Sequence, residues 1–156
     1  LLGTVYDAVK LLKKDRFIYI AGNGGSASTA SHLANDLMSR GYKAISLCDS
    51  TSNITRIGND RGYDYIFSDQ LKVLFEEGDV LIVISASGNS TNLINAVNYA
   101  SSIGYTISIV GFDGGKLMDM CDVSMLTPTK VGMYEYAEDM HLKVCHVIAK
   151  LLGNKL

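Results

Sequence analysis

Three short stretches of this sequence bring together groups suited to chemistry. The first, YIAGNGGSASTASHLANDL, spans residues 19–37 and reads as a strand, a glycine turn and a helix. Its Asn23, Gly24, Gly25 and Ser26 place backbone N–H groups and a hydroxyl at a helix start. Free N–H groups and the helix macrodipole favour an anion there. The second stretch, SASGNSTN from residue 85, offers Ser85, Ser87 and Ser90 beside the small Ala86. Its hydroxyls and amides converge into a compact phosphate cradle, while a serine in such a place also serves as an ordinary helix cap. In the third, EYAEDMHLKVCH from residue 135, Glu138 and His146 are eight residues apart. That spacing is about 80° around a helix and two turns along it, so both can border one pocket. On the helix of the first stretch, His32 and Asp36 are four apart and share a face, with Ala30, Leu33 and Leu37 turned to the core.

Other phosphate chemistries fit these residues less well. Gly22, Gly24 and Ala27 satisfy G-x-G-x-x-A, and Asp49 follows the second apolar run, which is the outline of a dinucleotide site. The spacing from Gly22 to Asp49 is longer than that fingerprint uses. A Walker A loop is excluded, because GNGGSAST has no lysine ahead of its hydroxyl residues. The serine loop shows no apolar slot for an adenine, and its side chains suit the phosphate end of a small sugar.

Five β-rich runs carry these loops: residues 17–21, 44–47, 80–85, 106–110 and 123–126. Several are apolar throughout and helical segments lie between them, which signals an α/β fold with a parallel sheet covered on both faces. Helices are expected at 4–13, 28–40, 52–57, 68–76, 89–103 and 133–152, with Gly41, Gly78 and Gly104 as left-handed caps. Parallel sheets bind ligands beyond the carboxyl ends of their strands. Here those ends carry GNGGSAS, SASGNSTN and GFDGGK.

With 156 residues and 47% apolar content, the chain fits a single globular domain, residues 1–156. A net charge of −2 with no basic cluster argues against nucleic-acid partners. The apolar runs are too short to cross a bilayer and no signal peptide is seen, so no membrane association is expected. Cys48, Cys121 and Cys145 are widely spaced without a CxxC, which suggests neither a disulfide framework nor a thiolate zinc site and fits the cytoplasm.

GNGGSAS and SASGNSTN, followed by GNDRGYDYIFSDQL from residue 58, GFDGGKL and EYAEDMHLKVCH, together resemble the sugar isomerase (SIS) domain family, and within it the phosphoheptose isomerases. The resemblance runs from Phe17 onward. It implies a doubly wound, flavodoxin-like sheet of five parallel strands and an aldose–ketose isomerisation of a phosphosugar, sedoheptulose 7-phosphate to D-glycero-D-manno-heptose 7-phosphate, toward lipopolysaccharide heptose. It also implies a cytoplasmic homotetramer with active sites between subunits, zinc, and more N-terminal helix upstream than residues 4–13.

Residue by residue, the resemblance puts His32 at a zinc-ligand position, Asp36 at the catalytic base, and His146 at the catalytic and zinc-binding histidine. Glu138 falls where a ligating Gln is usual, so His32, Asp36, Glu138 and His146 form an expected four-ligand set. Asp60 and Glu135 match substrate-contacting acidic positions, and Ala86 replaces a common Thr. Asp36, Glu135 and Glu138 each differ from the family's usual residue. His141 and Cys145 read as structural, while Tyr134 and Tyr136 pack around the pocket or a subunit interface. A non-catalytic relative, sensing a phosphosugar or binding a replication initiator, is the alternative; the joint presence of Asp36 and His146 favours the enzyme.

Overall fold

The apolar runs become strands because the sheet is covered on both sides. The computed structural model describes residues 1–153, with β1 (Phe17–Gly22), β2 (Lys43–Ser46), β3 (Val80–Ser85), β4 (Tyr105–Val110) and β5 (Val123–Leu126). Every pairing is parallel and the order is β2-β1-β3-β4-β5, the doubly wound α/β arrangement expected from the sequence. β3 lies at the centre and is buried at each of its residues, which is why VLIVIS shows no alternation.

Side chains along β1 and β3 point alternately to two cores. Ile18, Ile20, Ile82 and Ile84 meet α1 (Leu2–Leu11), α2 (Gly25–Met38) and α7 (Tyr134–Leu151) through Ala8, Leu33, Leu37, Val144 and Ile148. Tyr19, Ala21, Leu81 and Val83 meet α3 (Thr51–Asp60), α4 (Ser68–Leu74) and α5 (Thr91–Ala100) through Ile57, Leu71, Leu93 and Val97. Leu117 of the short α6 (Leu117–Met120) joins this second core. Among the described residues, no helix is long and apolar enough to cross a membrane.

Several boundaries differ from the sequence expectation for local reasons. α2 starts at Gly25 rather than residue 28, because Gly24 takes φ +56° and reverses the chain within the turn. α3 runs on to Asp60; the Ser50 hydroxyl accepts the Asn53 N–H at its start, and Ile57 anchors it in the core. α5 is shorter than 89–103, since the Asn89 amide is engaged by the loop, donating to the Ser87 carbonyl at 2.9 Å. Gly41 and Gly78 have the positive φ of the expected caps, but Gly104 does not: there a Cβ would lie 2.4 Å from the Asp79 carbonyl oxygen. The 3₁₀ turn Tyr63–Tyr65 and α6 are too short to leave a periodic signature.

At β1 and β3 the strand order reverses, and their carboxyl ends open a crevice between the loops that follow them. The GNGGS and SASGNS segments both leave the sheet here.

Beneath this crevice α7 buries His141 completely, and neither ring nitrogen reaches a hydrogen-bond partner among the described residues. Burial holds its imidazole below the ordinary 6.5, an effect that the nearby Val110 backbone only partly offsets. Below that pH the unfolded chain takes up a proton that the folded chain does not, so stability falls as the pH drops. Thermal unfolding at about pH 7.5 and about pH 5.5 is therefore expected to show a smaller acid-side loss in His141→Gln than in the wild type; equal losses would contradict the buried neutral imidazole.

Candidate active site

The crevice contains a cavity of about 110 Å³, room for a phosphate-sized group. Asn23 and Ser26 reach it from the β1–α2 turn, and Ser85, Ala86, Ser87 and Ser90 from the β3–α5 loop. The serines are held differently. Ser85 Oγ accepts the Gly88 N–H at 3.0 Å, and Ser87 Oγ accepts that of Asn89 at 3.3 Å. Ser90 occupies the cap position of α5, yet its hydroxyl makes no capping bond and stays available to a ligand. The GFDGGK segment braces the loop from outside, where the Leu117 N–H donates to the Gly88 carbonyl and the Lys116 N–H to Asn89 Oδ1.

Glu138 and Tyr134 close the cavity from the first turns of α7. The tyrosine ring is set by an edge-on contact with Phe112, centroids 5.1 Å apart. Glu138 presses on the start of α2 so closely that a Cβ on Gly25 would stand 2.2 Å from its Oε2. A side chain at position 25 would have to displace the Glu138 carboxylate, which the positive pole of α2 faces. Among the described residues, no lysine or arginine lines the cavity. An anion bound there would rest on hydroxyls and backbone N–H groups. Gly24 lies in the adjoining turn, but Asp60 and Glu135 do not line the cavity: both are exposed, at the end of α3 and the start of α7. Asp60 instead accepts the Asn59 amide at 2.9 Å.

Farther along the same two helices a second group assembles. His32 and Asp36 project from adjacent turns of α2, and His146 comes to them from α7. The two imidazole Nε2 atoms are 3.1 Å apart, and Asp36 Oδ2 lies 3.5 Å from that of His32 and 3.9 Å from that of His146. Asp36 Oδ1 faces Arg40 at 3.7 Å, while the same guanidinium donates to the Asp36 backbone carbonyl at 2.7 Å. One carboxylate oxygen is therefore tethered and the other is directed at the histidines. Side-chain exposure is 12% for Asp36 against 48% for His32 and 51% for His146, so the carboxylate is sheltered and the imidazoles face outward.

Two nitrogens and a carboxylate within 4.8 Å form a set able to hold a metal ion. Glu138 does not complete it within this chain. It belongs to the Gly25 end of the helix pair, and His32 lies seven residues further along α2, roughly 10 Å of helix rise. Cys145, adjacent in sequence, is no substitute: burial, reinforced by the Asp36 carboxylate, pushes its thiol up to about 12.

Sequence reasoning placed most of these residues but missed three polar ones. Asn92 and Asn23 exchange amide hydrogen bonds of 2.9 Å in both directions, and the Tyr63 hydroxyl donates to Asn23 Oδ1 at 3.0 Å. Arg40 is the third. An Asp and an Arg four apart on a helix can be read from sequence as a pair; the contacts to Asn92 and Tyr63, distant in the chain, have no such signal.

The SIS domain family matches residues 5–111. A phosphoheptose isomerase from Aliarcobacter butzleri is 42% identical over 156 residues, covering 96% of this chain and 82% of its own. One from Helicobacter pylori (strain P12) is 38% identical over 152 residues, with 93% and 78% covered. The structure of phosphoheptose isomerase GmhA from Neisseria gonorrhoeae superposes with a TM-score of 0.90 at 35% identity, over 97% of this chain and 86% of that one. A phosphoheptose isomerase from Francisella tularensis also gives 0.90, at 27% identity over 96% and 84%. The switch-point cradle, the paired helices and these likenesses agree: the chain belongs to the SIS domain family, among its phosphoheptose isomerases.

Proposed function

We propose that this protein is an aldose–ketose isomerase that interconverts sedoheptulose 7-phosphate and D-glycero-D-manno-heptose 7-phosphate. The observation that carries the reading is the pairing of a phosphate-sized hydroxyl cradle with a carboxylate–histidine group farther along the same helix pair. A seven-carbon ketose bears its phosphate at one end and its carbonyl near the other, so one extended substrate can engage both. Relatives of 36–42% identity carry the name of this activity, which supports the assignment.

The reaction moves hydrogen between C1 and C2. Asp36 takes a proton from C1, the C1–C2 double bond forms, and the C2 carbonyl oxygen gains a proton from protonated His146 to give the enediol. Collapse to the aldehyde returns the O1 proton to the imidazole, and the proton held by Asp36 goes to C2. The enzyme ends as it began. Arg40 keeps the Asp36 carboxylate oriented while leaving Oδ2 free. Ser26, Ser85, Ser87 and Ser90, with the Asn23, Gly24 and Gly25 turn, hold the phosphate; Glu138 contacts sugar hydroxyls, and Asp60 and Glu135 reach the substrate from the rim.

His32, Asp36 and His146 fit zinc by donor type and by their mutual approach. Bound zinc would supply Lewis-acid polarisation of the sugar carbonyl, and Asp36 and His146 would carry protons only when their donor atoms are not on the metal. We place the enzyme in the cytoplasm, in the supply of lipopolysaccharide heptose, where its three unpaired cysteines fit a reducing compartment. It acts there as a homotetramer with shared active sites. The outward-facing imidazoles and an apolar groove of Leu1, Leu2, Val5, Met140 and Val147 between α1 and α7 support assembly.

Two outcomes test this reading. Asp36→Asn and His146→Ala are each expected to lose on the order of 10²- to 10⁴-fold in kcat, followed by NMR of the sugar, with the circular dichroism spectrum unchanged; undiminished turnover in either rejects its acid–base role. Elemental analysis should find about one zinc per subunit in the wild type and a large loss in His32→Ala. A wild type free of zinc after gentle purification removes the metal assignment.

A further inference from the structure

We infer that Asn92 is a positioning residue for the phosphosugar site, acting through Asn23 rather than by touching the ligand. Asn92 stands at the start of α5, is 2% exposed and does not line the cavity, whereas Asn23 does. The two amides are paired face to face: Asn23 Nδ2 donates to Asn92 Oδ1 at 2.9 Å, and Asn92 Nδ2 donates to Asn23 Oδ1 at 2.9 Å. Tyr63, from the 3₁₀ turn, adds its hydroxyl to Asn23 Oδ1 at 3.0 Å.

A count of donors and acceptors shows what this arrangement does. An amide oxygen accepts two hydrogen bonds and an amide nitrogen donates two. Both lone pairs of Asn23 Oδ1 are taken, by Asn92 and Tyr63, and one of its two N–H groups is taken by Asn92. Asn23 therefore offers a ligand one N–H and no acceptor. That is the polarity a phosphate oxygen needs. Left unpaired, the amide can rotate and present its oxygen to the anion, which repels it. Asn92 and the Tyr63 hydroxyl together hold the amide against that rotation.

The same bonds join three segments that meet nowhere in sequence: the β1–α2 turn, the start of α5, and the 3₁₀ turn after α3. Asn95, one turn along α5, donates to the Asp64 carbonyl at 3.0 Å and holds the 3₁₀ turn from its other side. The segments beside the cavity are thereby joined by side-chain amides and one phenol. Tyr63 itself is 57% exposed, so its ring contributes little to the core and its hydroxyl bond can be removed without cost to packing.

This inference rests on the phosphosugar reading, and the experiment separates the two. KM and kcat for sedoheptulose 7-phosphate, and the dissociation constant of inorganic phosphate by calorimetry, are measured for the wild type, Asn92→Ala, Tyr63→Phe, Asn23→Ala and the two double variants with Asn23→Ala. Asn92→Ala is expected to weaken phosphate binding and raise KM about tenfold while kcat stays within about twofold. Tyr63→Phe, the variant whose folding is not in question, should show the same split at about two- to threefold. Because both act through one amide, adding either change to Asn23→Ala should produce no further loss. Unchanged KM and phosphate affinity in Tyr63→Phe and in a folded Asn92→Ala would overturn the inference, as would losses that simply add to those of Asn23→Ala. Phosphate binding by a wild type that does not isomerise the sugar would overturn the proposed reaction instead, and the phosphate constants of the variants would still decide the role of Asn92.

Discussion

The packing of α2 beside α7 on one face of the sheet is the constraint on which the site depends. Leu33 and Leu37 from α2, and Val144, Cys145 and Ile148 from α7, share one core with the isoleucines of β1 and β3. Burial of several such side chains, at roughly 1.5–3 kcal/mol each, fixes how the helices lie against each other. Their polar edges then have no freedom to choose partners. Gly25 meets Glu138 at one end, and His32 meets His146 farther along. The apolar register thus sets the separation between the hydroxyl-lined cavity and the carboxylate–histidine group.

Electrostatics divides these two places in a way that composition alone does not reveal. The cavity has no cationic side chain lining it among the described residues and one carboxylate, Glu138, facing a helix amino terminus. An anion placed there would be attracted by oriented dipoles, which are effective because they are fixed before a ligand arrives. Asp36 is arranged on the opposite plan. Its carboxylate is sheltered and tethered by a full charge from Arg40, so that a single oxygen is presented.

Much of this was legible in the sequence, and the parts that were not share a cause. β3 was readable to the residue because VLIVIS is buried on both faces, and the two cavity loops were readable because their glycines and serines follow strands whose carboxyl ends open a crevice. His32 and Asp36 could be paired from their spacing alone, since one helix carries both. Spacing along α7 placed Glu138 and His146 on related faces, but it does not say what lies opposite each. Only the packed structure separates Glu138 from the metal-competent group. The Asn23–Asn92 pair was invisible for the same reason: its partners are 69 residues apart, and nothing local to either side chain marks them. The late start of α5 and the early start of α2 were missed because Asn89 and Gly24 act through a hydrogen bond and a dihedral angle, which periodicity does not register.

Phe112 shows what the cavity's shape costs the protein. It is the non-glycine residue with positive φ among those described, at +46°, and it is nearly buried. A bulky side chain in this region of backbone space is disfavoured by roughly 1–2 kcal/mol, offset here by contact with Ala86 and Ala137 and by the edge-on ring of Tyr134. Glycine would relieve the strain but forfeit the buried ring, and truncating a packed Phe costs about 3–5 kcal/mol, more than the strain itself. A lineage pushed toward higher temperature thus gains nothing by relaxing the chain there, because the change that removes the strain also removes the aromatic brace behind Tyr134 at the cavity.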